Sequence, residues 1–439
     1  MRLPQTSPRI GASSACPTGR ACRTSRASRI STAALGLPLA AALALSACSS
    51  GSPAGGSGSA ASAPASDATA SADATGAGHG HVDGATELQE APLSLVMASS
   101  DGQVSLLDLG ADGAAPATIA SAPGLTATTS DSRFVAITGA DGATSLVDSG
   151  VWTWDHGDHQ HYYRAEARDL GPLGVSGTTS VASTNARTVI ASGTTATVLD
   201  RQALGQGTQT PVATATIDSG SFAAPLGDRT VLVAGGQASI VDDSGQAVGQ
   251  GIACPSASGG ALTRAGIVVG CQGGAVIAPE PSSTATAEPP APTWAPLPDE
   301  AAGARIVSMS NRARRSQVAA LDDAGGAWLL SVRDASWTRV AFGAPVVAVS
   351  AMDDTHKRVV GVDAEGRVRV WADGAEATVT EPIADPTLAA ATGVQVTPRR
   401  AYLPGADGAS VLEIDAADSA RVARTIPAAG LVAFEVVGA

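Results

Sequence analysis

The feature that most constrains the fold of this chain is a recurring pair of short apolar segments joined by a turn rich in Asp and Gly. Examples are "LSLVMASSDGQVSLLDL" from Leu93, "RFVAITGADGATSLVDSG" from Arg133 and "RAYLPGADGASVLEID" from Arg400. Each pair is typical of two β-strands connected by a tight turn. Eight such units start between residues 93 and 400, about 44 residues apart on average. The pattern predicts an all-β chain of repeated hairpins.

A repeat of this length is typical of the blades of a β-propeller. A single four-stranded blade cannot cover both of its faces, whereas a closed ring of blades buries the faces against each other. We therefore expect a β-propeller over residues 92–439, with eight blades preferred and seven as the alternative. The ending "GLVAFEVVGA" reads as one more strand, which would close the ring by pairing with N-terminal strands. The Pro-rich segment 278–300 is expected to be a loop between blades.

The first 47 residues have the pattern of a secretory signal. Six arginines and no acidic residue precede a short, alanine-rich apolar segment at 33–48. A basic start, a short apolar run and small residues at its end are typical of a signal peptide. The tetrapeptide "LSAC" at 45–48 fits the bacterial lipobox, which predicts removal of residues 1–47 and lipidation of Cys48. The alternative is an ordinary signal peptide with a chance cysteine.

Residues 48–91 are predicted to form a disordered linker, because their Gly, Ser and Ala side chains offer almost nothing to bury. With a lipid on Cys48, this linker would hold the folded domain clear of the outer face of the cell membrane. The chain carries 27 basic and 40 acidic residues, a net charge of −13. This balance argues against nucleic acid and anionic lipid surfaces as partners. We expect an extracytoplasmic monomer that touches the membrane only through its lipid.

Histidine is scarce, and three of the six histidines lie close together in "VWTWDHGDHQHYYRAEARDL", at His156, His159 and His161. If the chain is extended after the turn, His159 and His161 point to the same side, since residues two apart in a strand share a face. Gly157 would let the chain bend and return His156 towards them. Three imidazoles and one carboxylate match the ligands of a tetrahedral zinc site in type and number.

The fourth ligand could be Asp155 or Asp158, or either carboxylate could instead fix a histidine tautomer. Zn²⁺ suits this set best, with Cu²⁺ and Ni²⁺ as competitors for imidazole, whereas Ca²⁺ and Mg²⁺ prefer oxygen ligands. The remaining alternative is a solvated loop whose histidines bind no metal. The aromatic residues around the histidines are expected to pack a blade rather than to wall the site.

A second, weaker histidine pair, His79 and His81, lies at the end of the linker. A His-x-His pair in a flexible segment binds zinc modestly, because the chain must become ordered to do so. Two interpretations stay open, a linker without a metal role and a movable arm that delivers metal to the folded site.

Two cysteines, Cys254 and Cys271, remain beyond the predicted signal and lipid. Outside the cytoplasm two thiols tend to be oxidised, which predicts a disulfide between them. The alternatives are two buried free thiols or a pair of metal ligands.

The segment "VDSGVWTWDHGDHQHYYRAEARDLGPLGVSG" resembles the motif region of the periplasmic zinc metallochaperones of the AztD family. The cysteine-bearing "ACPSASGGALTRAGIVVGCQGGAVI" at 253–277 is also similar to a stretch of that family. The resemblance implies a propeller whose HGDHxH motif binds zinc, here through His156, His159 and His161 with Asp158 inside the motif. It also implies that zinc is passed to the substrate-binding protein of a zinc ABC transporter.

We expect a zinc-binding protein that is not an enzyme, because the chain contains no Gly-x-Ser-x-Gly elbow, no P-loop and no His-Glu-x-x-His motif. One alternative is a propeller metalloenzyme, a zinc-dependent hydrolase or lyase. In it three histidines would hold a zinc ion with one open position, and Asp155, Asp158 or Glu166 would act as general base. The other alternative is a metal-free interaction scaffold at the cell surface.

Overall fold

The computed structural model describes residues 82–156, 159–281 and 289–439. The predicted signal peptide, Cys48, the histidine arm with His79 and His81, and Asp158 therefore lie outside the described residues. Within the described ranges the strands form eight four-stranded antiparallel sheets and one three-stranded sheet. The protein is all-β, as the repeats predicted, and the number of four-stranded sheets equals the number of units counted in the sequence.

The four-stranded sheets are numbered 1 to 8 in chain order. Sheet 1 contains β2 (Ser94–Ser99), β3 (Gln103–Asp108), β4 (Ala117–Ser121) and β35 (Leu431–Val437), and sheet 2 contains β5 (Leu125–Ser130), β6 (Phe134–Gly139), β7 (Ala143–Asp148) and β10 (Arg168–Ser176). Sheet 3 contains β11 (Thr178–Ser183), β12 (Arg187–Ser192), β13 (Thr195–Asp200) and β14 (Pro211–Thr216), and sheet 4 contains β15 (Ala224–Leu226), β16 (Arg229–Ala234), β17 (Gln237–Val241) and β18 (Ile252–Ala253). Sheet 5 contains β19 (Gly260–Thr263), β20 (Gly266–Cys271), β21 (Gly274–Pro279) and β22 (Thr293–Pro296), and sheet 6 contains β23 (Ile306–Ser310), β24 (Gln317–Asp322), β25 (Ala327–Ser331) and β26 (Ser336–Arg339). Sheet 7 contains β27 (Val346–Ala351), β28 (Val359–Asp363), β29 (Arg367–Ala372) and β30 (Ala375–Pro382), and sheet 8 contains β31 (Gln395–Val396), β32 (Ala401–Pro404), β33 (Ser410–Asp415) and β34 (Arg421–Pro427).

The three-stranded sheet stands apart from this series and contains β1 (Thr86–Leu88), β8 (Val151–Asp155) and β9 (Gln160–Arg164). Among the described residues, helical structure is limited to α1 (Arg201–Gly205), α2 (Pro386–Thr392) and one 3₁₀ turn. In the part of the chain that the structure describes, neither helix has the length and apolar character needed to cross a membrane.

The sheets form a ring that is closed by the C-terminal strand. Strand β35 pairs antiparallel with β2, for example Met97 with Phe434, and so completes sheet 1. The same strand contacts β5 of sheet 2 and β31 of sheet 8, so sheet 1 joins the beginning of the ring to its end. A ring leaves no sheet face without a neighbour, which a single repeat could not achieve alone.

Burial explains why strands in the middle of a sheet have continuous apolar sequences and the outer strands do not. The segments "GIVVGC" of β20 and "VVGVD" of β28 are buried at every position, because neighbouring sheets cover both faces. The outer strand β30, "AEATVTEP", instead alternates exposed and partly buried residues. A typical core between two sheets contains Val96 and Val104 of sheet 1 with Val135 and Ile137 of sheet 2.

The Asp-Gly pairs form tight turns between the second and third strands of their sheets. At the turn after β6, Gly142 has φ 80° and its N–H donates to the carbonyl oxygen of Gly139 at 2.9 Å. The carboxylate of Asp141 accepts a hydrogen bond from the backbone N–H of Ala143 at 3.0 Å. Glycine takes the positive φ without a steric penalty, and aspartate satisfies a backbone donor.

Two segments form strands where the sequence predicted none. Strand β1 lies within the predicted linker 48–91 and pairs with β9. Strand β22 lies within the Pro-rich segment 278–300, and the prediction of a loop was wrong for its residues. It is the outer strand of sheet 5, where no further strand requires the N–H that Pro296 lacks.

Candidate metal site

The three clustered histidines lie on a hairpin inserted into sheet 2. Its third strand ends at Asp148 and its outer strand starts at Arg168, and β8 and β9 form between them. Gly150, at the entry to the hairpin, has φ 73°, and a Cβ there would lie 2.5 Å from the carbonyl oxygen of Ala165. Only glycine therefore allows the two ends of the hairpin to approach this closely.

A buried ion pair anchors the base of the hairpin. Arg133 donates from Nε and Nη2 to the carboxylate of Asp148 at 2.9 and 2.8 Å. Asp148 is 0% and Arg133 8% exposed. The Arg133 guanidinium lies 3.8 Å from the centre of the Trp152 ring, and Trp152 stacks on Tyr163 with ring centres 5.1 Å apart. This chain of contacts fixes both hairpin strands against sheet 2.

The hairpin tip brings three imidazoles together. His156 follows β8, His159 precedes β9 and His161 lies within β9. The backbone N–H of His156 donates to the carbonyl oxygen of His159 at 3.0 Å, which closes the turn. One ligand nitrogen from each ring lies within 4.8 Å of the other two, and the Nε2 atoms of His159 and His161 are 3.0 Å apart.

These separations are close to those that one zinc ion requires. With Zn–N bonds of about 2.0–2.1 Å and tetrahedral angles, two ligand nitrogens lie roughly 3.3 Å apart. The pair of Nε2 atoms of His159 and His161 is already near that value, and the widest separation in the group, at most 4.8 Å, would have to shorten by up to about 1.5 Å. The three described histidines can therefore share one divalent ion, and Asp158, the other predicted ligand of the motif, lies outside the described residues.

Aromatic stacking supports the first histidine. The rings of Trp154 and His156 are stacked with centres 5.2 Å apart, and His156 in turn stacks on His159 at 5.1 Å. Trp152 and Tyr163 are buried. The sequence predicted packing for all these aromatic residues, and two of them also lie beside the histidine group, because Tyr163 stacks on His161 with ring centres 6.2 Å apart as Trp154 does on His156.

A carboxylate from β1, Glu87, orients the third histidine and was not identified from the sequence. Its Oε1 lies 2.6 Å from Nδ1 of His161. A carboxylate only accepts hydrogen bonds, so Nδ1 carries the hydrogen and Nε2 presents its lone pair to the other two rings. Carboxylate–histidine contacts of this kind fix the ring and raise the basicity of the ligand nitrogen. No local pattern could show this contact, because 74 residues separate the two side chains.

The structure places Asp155, one of the predicted fourth ligands, in a different role. Its Oδ2 accepts a hydrogen bond from Nε of Arg264 at 2.8 Å and a second one from the same guanidinium. The group of possible ligands found among the described residues contains only the three histidines. Asp155 therefore ties the hairpin to the turn after β19 of sheet 5.

Cys254 and Cys271 form a disulfide with their Cα atoms 5.1 Å apart. Cys254 follows the last strand of sheet 4 and Cys271 ends β20 of sheet 5, so the bond links two neighbouring sheets. Both residues are 0% exposed. As bonded, buried sulfur atoms they are not available as metal ligands.

Comparison with known proteins identifies similar structures but no similar sequences. No family of known proteins matches the chain, and no curated protein is significantly similar to it in sequence. The crystal structure of AztD from Citrobacter koseri matches with a TM-score of 0.62 and 15% identity, over 79% of this chain and 97% of that one. The structure of apo AztD from the same organism matches with a TM-score of 0.61 and 14% identity, over 79% and 98%. This chain therefore has an all-β propeller fold similar to that of AztD.

Proposed function

We propose that this protein is a zinc metallochaperone that binds the ion through His156, His159 and His161. The observation that carries the proposal is the convergence of three imidazole nitrogens within 4.8 Å on the inserted hairpin. Imidazole is a preferred ligand of Zn²⁺, and the acidic chain, with its net charge of −13, favours encounter with cations. The resemblance of the histidine segment to the AztD motif supports the same ion.

The exposure of the ligands favours transfer over a structural role. His156 and His159 are exposed and His161 is partly buried, so the group is accessible from solvent. Structural zinc sites are usually closed by four protein ligands, whereas the three histidines found among the described residues fill only three of the four positions. A ligand from a second protein can enter at the remaining position and begin to exchange the ion.

The contacts of Asp155 weigh against the metalloenzyme alternative. A hydrolase or lyase would need a general base within hydrogen-bond reach of a zinc-bound water. Asp155 is held by Arg264, and among the described residues Glu166 does not belong to the histidine group. The third candidate base, Asp158, lies outside the described residues. We therefore propose metal transfer without catalysis.

The location and partner of the protein are proposed from its sequence. The lipobox at 45–48 and the linker after it support a monomeric, extracytoplasmic protein anchored through a lipid on Cys48. The resemblance to AztD supports the substrate-binding protein of a zinc ABC importer as the acceptor. His79 and His81 would serve this transfer as a second binding point.

The test of the function is zinc transfer to the substrate-binding protein of a zinc importer from the same organism. The zinc-loaded protein is mixed with the apo acceptor, and transfer is compared with release of zinc to a soluble chelator that does not contact the protein. We expect transfer to be faster than release. If zinc reaches the acceptor only as fast as it is released into solution, zinc binding stands but the metallochaperone role is wrong.

Replacing Glu87 by glutamine is expected to weaken zinc binding about 10–100-fold, the usual effect of losing a carboxylate that orients a histidine ligand. The amide keeps the shape of the side chain but no longer supplies a negative acceptor to Nδ1 of His161. A competition titration against a chromophoric chelator measures the change. Glu90→Gln removes the same charge from a nearby exposed position and should leave the affinity unchanged. Equal affinities for Glu87→Gln and wild type would contradict the orienting role.

A further inference from the structure

A cavity of about 130 Å³ lies against the inserted hairpin, separate from the histidine group. Trp152, Thr153, Asp155 and Gln160 of the hairpin form one side of it. The remaining walls come mainly from the turns that follow the first strands of sheets 2, 3, 5 and 6. The cavity therefore lies where several sheets of the ring meet.

Arginine dominates the charged lining of this cavity, although the chain as a whole is acidic. Two of the arginines are neutralised by carboxylates that also line the cavity. Arg201 forms an ion pair with Asp131, and Arg264 forms one with Asp155.

The other two arginines, Arg314 and Arg315, form no ion pair with any carboxylate in the described ranges. The Nε of Arg314 is buried and has no hydrogen-bond partner there. A buried donor without a partner is destabilising, so a ligand that accepts its hydrogen bond recovers this loss. Burial lowers the pKa of Arg314, an effect that the charge of Glu280 opposes. A guanidinium stays charged at neutral pH.

The backbone at Arg314 is held in an unfavourable conformation beside the cavity. Its φ is 60°, in the left-handed region, which is unfavourable for a non-glycine residue. The carbonyl oxygen of Arg314 accepts a hydrogen bond from the N–H of Arg264 at 3.0 Å, which ties this loop to sheet 5. Strain of this kind is often found at ligand sites.

We propose that this cavity binds a small oxyanion, a phosphate or a short carboxylate, through the guanidinium groups of Arg314 and Arg315. The planar fork of arginine donates parallel hydrogen bonds that match paired oxygens. The volume of about 130 Å³ is below the 300–1,000 Å³ of pockets for drug-sized ligands, which excludes a nucleotide or a peptide.

The test is calorimetric titration of the chelator-treated protein with inorganic phosphate and, separately, with succinate, at constant ionic strength. Because zinc is absent, the result does not depend on the proposed function. We expect saturable binding of at least one anion at one equivalent, and at least tenfold weaker binding in the double variant Arg314→Gly, Arg315→Ala. Glycine is chosen at position 314 because it adopts φ 60° without strain, so the variant keeps its fold.

The control is Arg333→Ala, which changes an exposed arginine in the turn between β25 and β26 of sheet 6 that does not line the cavity. It should bind the anion as wild type does. Binding of phosphate alone assigns the site to phosphate groups, and binding of succinate alone assigns it to carboxylates. No saturable binding of either anion by wild type overturns the proposal. Unchanged affinity in the double variant also overturns the proposal. If the double variant melts early, the single variant Arg315→Ala is tested instead, and unchanged affinity there overturns the proposal as well.

Discussion

Replacing His156, His159 and His161 together by alanine is expected to lower the affinity for zinc at least about 1,000-fold, equivalent to about 4 kcal/mol. The three imidazoles supply all the ligands found in the group, and no cysteine near them can substitute, since both described cysteines are bonded to each other. Competition titration with a chromophoric chelator and metal analysis of the purified protein measure the loss. The single variant His161→Ala should also weaken binding, because it removes the ring that Glu87 orients.

The matched control for this variant is His356→Ala. His356 is an exposed histidine whose Nδ1 lies 2.8 Å from the carboxylate of Asp373. It is therefore also paired with a carboxylate, but it lies in the turn between β27 and β28 of sheet 7. Its removal should leave zinc binding unchanged. The triple variant should also keep the melting temperature of the zinc-free protein, because the imidazoles pack on an exposed hairpin tip. If the triple variant binds zinc as wild type does, the metal site is elsewhere, although the propeller fold remains.

Replacing Asp148 by alanine is expected to destabilise the protein by about 3–5 kcal/mol, because it leaves the Arg133 guanidinium buried without its carboxylate. The same change should weaken zinc binding, since Arg133 packs on Trp152 and so holds the hairpin against sheet 2. Urea unfolding followed by tryptophan fluorescence measures stability. Zinc affinity is measured in buffer at low temperature, where the variant is folded.

Asp363→Ala in sheet 7 is the control that separates the loss of zinc affinity from the loss of stability. Asp363 is 1% exposed and accepts a hydrogen bond from Nε of Arg369 at 2.8 Å, an environment similar to that of Asp148. Its loss should also destabilise the protein, somewhat less because Glu376 still pairs with Arg369. Zinc binding should be unaffected, since this pair does not touch the hairpin. If both variants change zinc affinity equally, the Arg133–Asp148 pair has no specific role in positioning the histidines.

The sequence by itself determined the all-β propeller and the three histidines of the candidate site. Both follow from local patterns. Alternating apolar runs with Asp-Gly turns specify hairpins, and their regular period specifies a ring of sheets. His159 and His161 lie two residues apart, so a strand necessarily puts them on one face. Even the closing strand β35 could be identified, because its apolar run follows the last complete hairpin.

Only the tertiary structure decided what surrounds those histidines. Glu87 meets His161 because β1 pairs with β9, and Asp155 pairs with Arg264 because sheet 5 lies beside the hairpin. The arginine-lined cavity likewise assembles from turns of several sheets. The two contacts and the cavity all bring together residues far apart in the chain, where register and the packing of one sheet on the next set the distance. No periodicity or spacing within a single segment contains that information.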